Sequence, residues 1–227
     1  MTIADMHTAL DLELDKTSAL DLPVFLDDEK DFWLNAAIKK FVKTRYSGLN
    51  IKKQSFEETQ KRIDDLRTLV TTADVSLSNV TATYPNGYVG TLPTGNDLYW
   101  LMVGEEAEIT VDSSTKRVGV TQCSQNEYRQ KIDDPYSEHI LHYTSAKPIR
   151  LFYSNSVELI SDGNYTVDTY YLTYIKEPAE VDLSGAVDCD LPEHTHDEIV
   201  KITCNMMLEN IESPRYASHA NEIATME

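Results

Sequence analysis

The sequence predicts an α+β protein: a bundle of N-terminal helices plus a C-terminal helix, interrupted by an antiparallel β domain. Three observations carry this. Apolar residues recur at helical spacing through the first seventy residues and again close to the C-terminus. From about Ala73 the apolar period shortens to two. At the same place the punctuation changes from helix caps to Asn-Gly and Asp-Gly-Asn turns. The predicted division is 1–72, an N-terminal helical layer; 73–178, a β domain with one short helix; and 179–227, a linker, a helix returning to the bundle and a tail.

In chain order, Thr2 and Asp5 have capping-box spacing, and Met6, Leu10 and Leu14 follow on one helical face. Asp21 to Asp28, with Pro23, is a break. Asp27 or Asp28 can cap a second helix from about Glu29 to Tyr46. Its apolar stripe is Trp33, Leu34, Ala37, Ile38 and Phe41, with Lys39, Lys40 and Lys43 largely outside it. Ser47-Gly48 ends it. Ser55 with Glu58 opens a third helix, which is expected to bury Phe56, Ile63, Leu66 and Val70 and to pair Glu57 with Lys61 and Glu58 with Arg62.

In the middle of the chain, Asn86-Gly87 between Thr83-Tyr84 and Tyr88-Val89 predicts a hairpin. Leu98 to Val103, Ala107 to Val111 and Arg117 to Thr121 read as strands. Ser124 with Glu127 opens a short helix to about Ile132, closed by Asp133-Asp134-Pro135. Strands resume over Ile149 to Tyr153 and Val157 to Ile160, and Asp162-Gly163-Asn164 turns the chain into a long strand, Tyr165 to Lys176. A polar connection, 179–190, precedes the last helix, from Pro192 or Thr195 to about Glu212. Thr195 and Glu198 again have capping-box spacing, and the row Ile199, Ile202, Thr203 and Met206 is expected to pack on the N-terminal helices. Ser213 to Glu227 lacks apolar periodicity and is expected to be mobile in the free chain.

The charge is lopsided. Twenty basic residues against 38 acidic give −18 and a pI near 4.6. Such a chain repels phosphate backbones in bulk, which argues against a general nucleic-acid binder. From Lys39 to Arg67, however, nine basic residues face four acids, and from Glu177 onward twelve acids face only Lys201 and Arg215. Basic helix faces are usually solvated. The sharper reading pairs this window, with Lys39, Lys40, Lys43 and Arg45 at its start, with the acidic C-terminal region of another copy, a head-to-tail contact that closes into a ring. No apolar run is long enough to span a bilayer, and acids interrupt any secretory leader, so neither membrane insertion nor secretion is expected. Cys123, Cys189 and Cys204 are odd in number and lack a CxxC, so no disulfide framework is expected.

Catalytic patterns are sparse. The chain lacks a Gly-rich phosphate loop, a G-x-S-x-G elbow and an HExxH helix. Glu193, His194, His196 and Asp197 are the best metal candidate, and equally the polar first turn of a helix. Cys123 with His139 or His142 offers a nucleophile pair that nothing local orients. Asp133-Asp134 is better explained as a helix-ending turn. No catalytic residue, metal or cofactor is therefore assigned. In the long strand, Tyr165, Val167, Tyr171 and Ile175 alternate with Tyr170, Leu172 and Tyr174. Both faces are half apolar, which fits either core packing or an aromatic interface.

The order of short motifs carries a resemblance. Tyr174-Ile175-Lys176-Glu177-Pro178, Asp190-Leu191-Pro192-Glu193 and His196-Asp197-Glu198-Ile199-Val200, with Asp133-Asp134-Pro135 before them, resemble phage head-to-tail adaptor proteins. The likeness is greatest to the tubular ring proteins of crAss-like, short-tailed phages. The resemblance implies a non-enzymatic virion protein assembled in the bacterial host cytoplasm. It implies a homo-oligomeric ring beneath the portal protein that extends the channel for passing DNA without sequence-specific binding and offers other tail or connector proteins a platform. It further implies a β domain facing outward or toward the tail, and a terminal segment, here Arg215 to Glu227, that docks on the portal. The interaction residues expected are Lys39, Lys40, Lys43 and Arg45 from the basic window, Tyr170, Tyr171 and Tyr174 from the strand, and Arg215 and Tyr216 from the tail. A capsid decoration or cargo protein, or a tail-associated carbohydrate-binding module, is the competing expectation.

Overall fold

Five helices and two four-stranded sheets build an α+β fold among the described residues, which are 1–17, 25–48, 54–211, Tyr216, Ala220 and Asn221 of a computed structural model. Pro23, Lys52, Lys53 and Arg215 lie outside them. The chain divides into two units, Met1–Leu69 with Pro178–Glu227, and Val70–Glu177.

In the first unit, α1 (Ile3–Thr17) opens with the capping box: Thr2 N–H donates to Asp5 Oδ2 at 3.0 Å and Asp5 N–H to Thr2 Oγ1 at 3.3 Å. Ile3, Met6, Leu10 and Leu14 are buried. Helix α2 (Asp27–Ser47) is capped at Leu26, one residue before Asp27 and two before Asp28, because Glu29 Oε2 reaches back to accept the Leu26 N–H at 2.9 Å. Gly48 ends it at φ 67°, a left-handed position that suits glycine. Its buried stripe is Leu34, Ala37, Ile38, Phe41 and Val42.

The expected third helix is broken. Ser55 N–H does donate to Glu58 Oε2 at 2.8 Å, but the box closes only a 3₁₀ turn, Phe56–Glu58. Thr59 is extended, at φ −138° and ψ 141°, before α3 (Gln60–Leu66) begins. The break removes the continuous helix that the Glu57/Lys61 and Glu58/Arg62 pairs require, and Val70 belongs to the first strand. A 3₁₀ turn, Glu193–Thr195, leads into α5 (His196–Asn210). This helix buries Ile199, Val200, Thr203, Cys204, Met207 and Leu208 and packs on α1 and α2. Thr195 does not cap it; its hydroxyl donates back to Pro192 O at 2.8 Å.

The second unit is a β sandwich. One sheet has the order β1 (Val70–Ser76), β8 (Thr166–Lys176), β3 (Tyr99–Val111), β4 (Ser114–Gly119). The other runs β2 (Gly87–Thr91), β7 (Ser156–Ile160), β6 (Ile149–Phe152), β5 (Thr121–Gln122). Pairing is antiparallel except between β5 and β6, which are parallel. Val75, Ala107, Ile109, Val157, Leu159, Val167, Tyr170, Leu172 and Tyr174 fill the space between the sheets. The second sheet also buries its other face: Tyr128 of α4 (Tyr128–Asp133) packs on Ile149, Leu151 and Ile160.

Three strand expectations change. Asn86-Gly87 makes a turn, with Asn86 at φ 59°, but not a hairpin. The N–H groups of Thr83 and Tyr84 donate to the buried Glu158 carboxylate, at 2.8 and 2.9 Å, instead of to a strand partner, and β2 pairs with β7. Leu98 to Val103 and Ala107 to Val111 are one bulged strand, β3, while Arg117 to Thr121 is split at Val120 as the chain leaves one sheet for the other. The long strand carries a bulge: Glu108 faces Thr169 but Ile109 faces Val167, skipping Asp168. Asp168 instead accepts the Thr110 hydroxyl at 2.6 Å. The bulge moves the core face from Tyr165 and Val167 to Tyr170, Leu172 and Tyr174.

Candidate assembly surfaces

Helix α2 has three sides with different partners. Its buried side ends in Arg45, which lies with Phe41 one turn and Ile38 two turns back and stacks over the Phe41 ring at 4.8 Å. The Arg45 guanidinium donates through Nε to Asp65 Oδ2 at 3.0 Å and through Nη2 to both oxygens of Glu198, at 2.6 and 2.8 Å. Asp65, 1% exposed, also lies 3.0 Å from His194 Nε2. One cation thus ties α2, α3 and α5 together. Burial raises the Glu198 carboxyl above its usual range, with Arg45 opposing that shift.

A second side of α2 holds the connection before α5. Asp31, Asn35 and Lys39 stand one turn apart. Asp31 Oδ2 accepts the Leu183 N–H at 3.1 Å, Asn35 exchanges two hydrogen bonds with the Val181 backbone, at 3.0 and 2.8 Å, and Lys39 Nζ lies 3.1 Å from Glu180. The acids downstream are engaged in the same unit: Asp188 accepts the Ile3 N–H at 2.7 Å and Glu193 pairs with the N-terminal ammonium at 3.1 Å. Four described acids of the C-terminal region, Glu180, Asp188, Glu193 and Glu198, are therefore held by their own chain.

The third side of α2 points to solvent. A period of 3.6 residues puts Phe32, Ala36, Lys40 and Lys43 opposite the buried stripe. Phe32 is 64% exposed and stands edge-on to Trp33 at 5.3 Å, and both lysines are exposed.

The tyrosines of β8 divide in the same way. Tyr170 and Tyr174 are fully buried, with hydroxyls donating to Glu105 Oε2 at 2.8 Å and Asp97 O at 2.7 Å. Glu105 also meets Arg150 Nη1 at 3.1 Å, across the sandwich, and Arg150 stacks on Phe152 at 4.3 Å. Burial pushes the Glu105 carboxyl upward despite Arg150 and Tyr170. Tyr171 is half-buried on the outer face, donating to Glu108 at 3.2 Å beneath the Arg117 guanidinium, 3.7 Å from its ring centre. Of the tail candidates, Tyr216 is helical and half-buried.

The residues weighed for chemistry have other partners. His194 meets Asp65, and His196 Nε2 lies 2.9 Å from Leu191 O. No cluster of three or more His, Cys, Asp or Glu suited to a metal occurs among the described residues. Burial raises all three thiols, Cys204 to about 12, which leaves them protonated and poorly nucleophilic at neutral pH. Among the described residues no helix is long and apolar enough to cross a membrane.

His139 is the titratable group with a clear consequence. It is 2% exposed, with Nδ1 2.9 Å from Ser137 Oγ. Burial lowers its pKa below the usual 6.5, against the pull of Asp162 and Asp134. The unfolded chain therefore binds a proton here that the folded chain refuses, so this contribution to stability is present above pH 6.5 and is lost as pH falls toward the folded value. The expected result is a denaturation midpoint for the β unit that drops between pH 7 and pH 5, and a shallower drop in His139→Gln. An unchanged slope in that variant would contradict the assignment.

Buried ion pairs lock each unit, and charged and aromatic groups face outward. The sequence model of a family described as phage tail ring protein 3/4 matches residues 1–215. The chain belongs to that family, the ring proteins of crAss-like phages, and is a structural component of the phage tail. No curated protein matches the chain.

Proposed function

We propose that this chain forms a homo-oligomeric ring in the portal–tail connector, where it extends the DNA channel and provides a platform for tail attachment. The match to the tail ring family over residues 1–215 carries this reading. The protein acts without catalysis, as a spacer and coupler between the portal protein and other tail or connector proteins. It assembles in the host cytoplasm and resides in the virion. A net charge of −18 suits a conduit, because DNA slides past a surface that does not hold its phosphates.

In this reading the helical layer, 1–72 with the returning C-terminal helix, packs around the ring, and the β domain, 73–178, faces outward or toward the tail. The basic face of α2 supplies the head-to-tail contact through Lys40 and Lys43, with Lys39 at its edge, and Tyr171 belongs to an outer contact. Arg215 and Tyr216 belong to the segment that docks on the portal. Arg45, Tyr170 and Tyr174 act indirectly, by holding the shape of those surfaces. Gold-labelled antibodies raised against the full chain test the placement. Label on intact and tail-stripped particles is expected at the single vertex that bears the tail. Label spread over the capsid surface would identify a decoration protein instead.

A further inference from the structure

The loop before β6 ends in a turn that its residues make difficult. Tyr143 and Thr144 both hold positive φ, 50° and 73°, where glycine or asparagine sits easily and an aromatic or β-branched residue is strained. The turn closes nonetheless. His142 N–H donates to Ser145 O at 3.1 Å, and Ser145 N–H to His142 O at 2.9 Å. Its base is fixed as well: Leu141 N–H donates to Asp162 Oδ2 at 2.9 Å, Lys147 N–H to Glu138 O at 2.7 Å, and the Tyr165 hydroxyl to His139 O at 2.9 Å. The Tyr143 side chain at the tip is wholly exposed, and Tyr136 in the same loop is 88% exposed. Neither ring adds to a core. Asp133, Asp134 and Glu138 are exposed in the same stretch; Asp133 pairs with Arg129 at 3.0 Å and Glu138 with Lys147 at 3.2 Å, both at the surface, where such pairs are weak and exchange readily. A strained, pinned arm that presents tyrosine among carboxylates is pre-organised for contact.

The complementary surface is the outward side of α2, where exposed Phe32 shares a face with Lys40 and Lys43. Of the described acids of 180–198, Glu180, Asp188, Glu193 and Glu198 are engaged in their own unit, Asp197 is exposed, and no exposed aromatic ring accompanies them among the described residues. The loop 133–145 differs in combining exposed acids with exposed aromatic rings, which suit both phenylalanine and ammonium groups.

We propose that the Tyr143 turn and its acidic flank dock on the Phe32–Lys40–Lys43 face of α2 in a second copy of this chain, which rests on the ring reading above. The two patches differ, so the contact is heterologous and propagates from copy to copy. Sedimentation velocity and native mass spectrometry of the full chain over a range of concentrations test it. Tyr143→Ala and Lys43→Glu are each expected to raise the concentration for half-assembly about tenfold or more. Asp133→Lys is expected to do the same alone and, combined with Lys43→Glu, to restore assembly. Thr144→Gly, which relieves strain but keeps Tyr143, is expected to assemble like wild type and to melt higher. Equal assembly of wild type and Tyr143→Ala, or failure of the charge swap to rescue, would overturn this contact while leaving the ring intact. A wild type that remains monomeric at every concentration would overturn self-assembly and the contact with it.

Discussion

Replacing Arg45 with alanine is expected to destabilise the helical unit by about 3–5 kcal/mol, the usual result of stripping one partner from a buried ion pair. The magnitude follows from what remains. Asp65 is 1% exposed, and without Arg45 its carboxylate keeps, among the side-chain contacts described, only the His194 ring nitrogen 3.0 Å away. Glu198, already raised by burial, would lose both of its hydrogen bonds to Nη2. Three helices lose their common tie at once. Thermal unfolding by circular dichroism should show a melting temperature roughly 10–20 °C lower. A shift of only a few degrees would mean that Arg45 is not the tie. The experiment also separates two kinds of assembly defect. Arg45→Ala should fail to assemble because its helical unit is unstable, whereas Lys43→Glu should fold normally and fail only at the surface.

The second large effect is expected across the sandwich. Arg150→Ala leaves Glu105 buried between the sheets without its cation, held only by the Tyr170 hydroxyl among the contacts described, and removes the stack on Phe152. The expected cost is again about 3–5 kcal/mol, read as a lower denaturant midpoint of the β unit with its slope unchanged. Replacing the whole cluster is different. In Glu105→Leu/Arg150→Met/Tyr170→Phe no donor or acceptor of the cluster is stranded, so most of that loss should be recovered. If the triple variant were as unstable as Arg150→Ala, packing volume and not the stranded charge would be the cause.

How much of this was legible in the sequence depended on the range of the interactions involved. Helix α2 could be read almost to its ends, because Gly48 and the apolar stripe are local signals. Arg45 could be found too: it falls on the side of Ile38 and Phe41, and a wheel drawn through those residues places it inward. Charge alone groups it with Lys39, Lys40 and Lys43. The Asn86-Gly87 turn misled because its neighbours bond to Glu158, more than seventy residues away, and no short window contains that acid. The bulge at Asp168 was hidden for a related reason. Strict alternation through Tyr165 to Lys176 puts tyrosines on both faces, and only the pairing with β3 shows that one residue is skipped. Tyr143 carries no composition signal, since nothing marks a tyrosine as the tip of a turn until its φ is known. The break at Thr59 is likewise set by packing, with Phe56 and Leu66 buried on either side of it.

The central claim, a ring in the connector, is tested most directly by counting copies. Quantitative mass spectrometry of purified virions, using the portal protein as the internal reference, gives the number of these chains per particle. The account predicts a small whole-number ratio to the portal ring, with the chain retained in particles after capsid-surface proteins are stripped. Hundreds of copies per particle, or none, would contradict it.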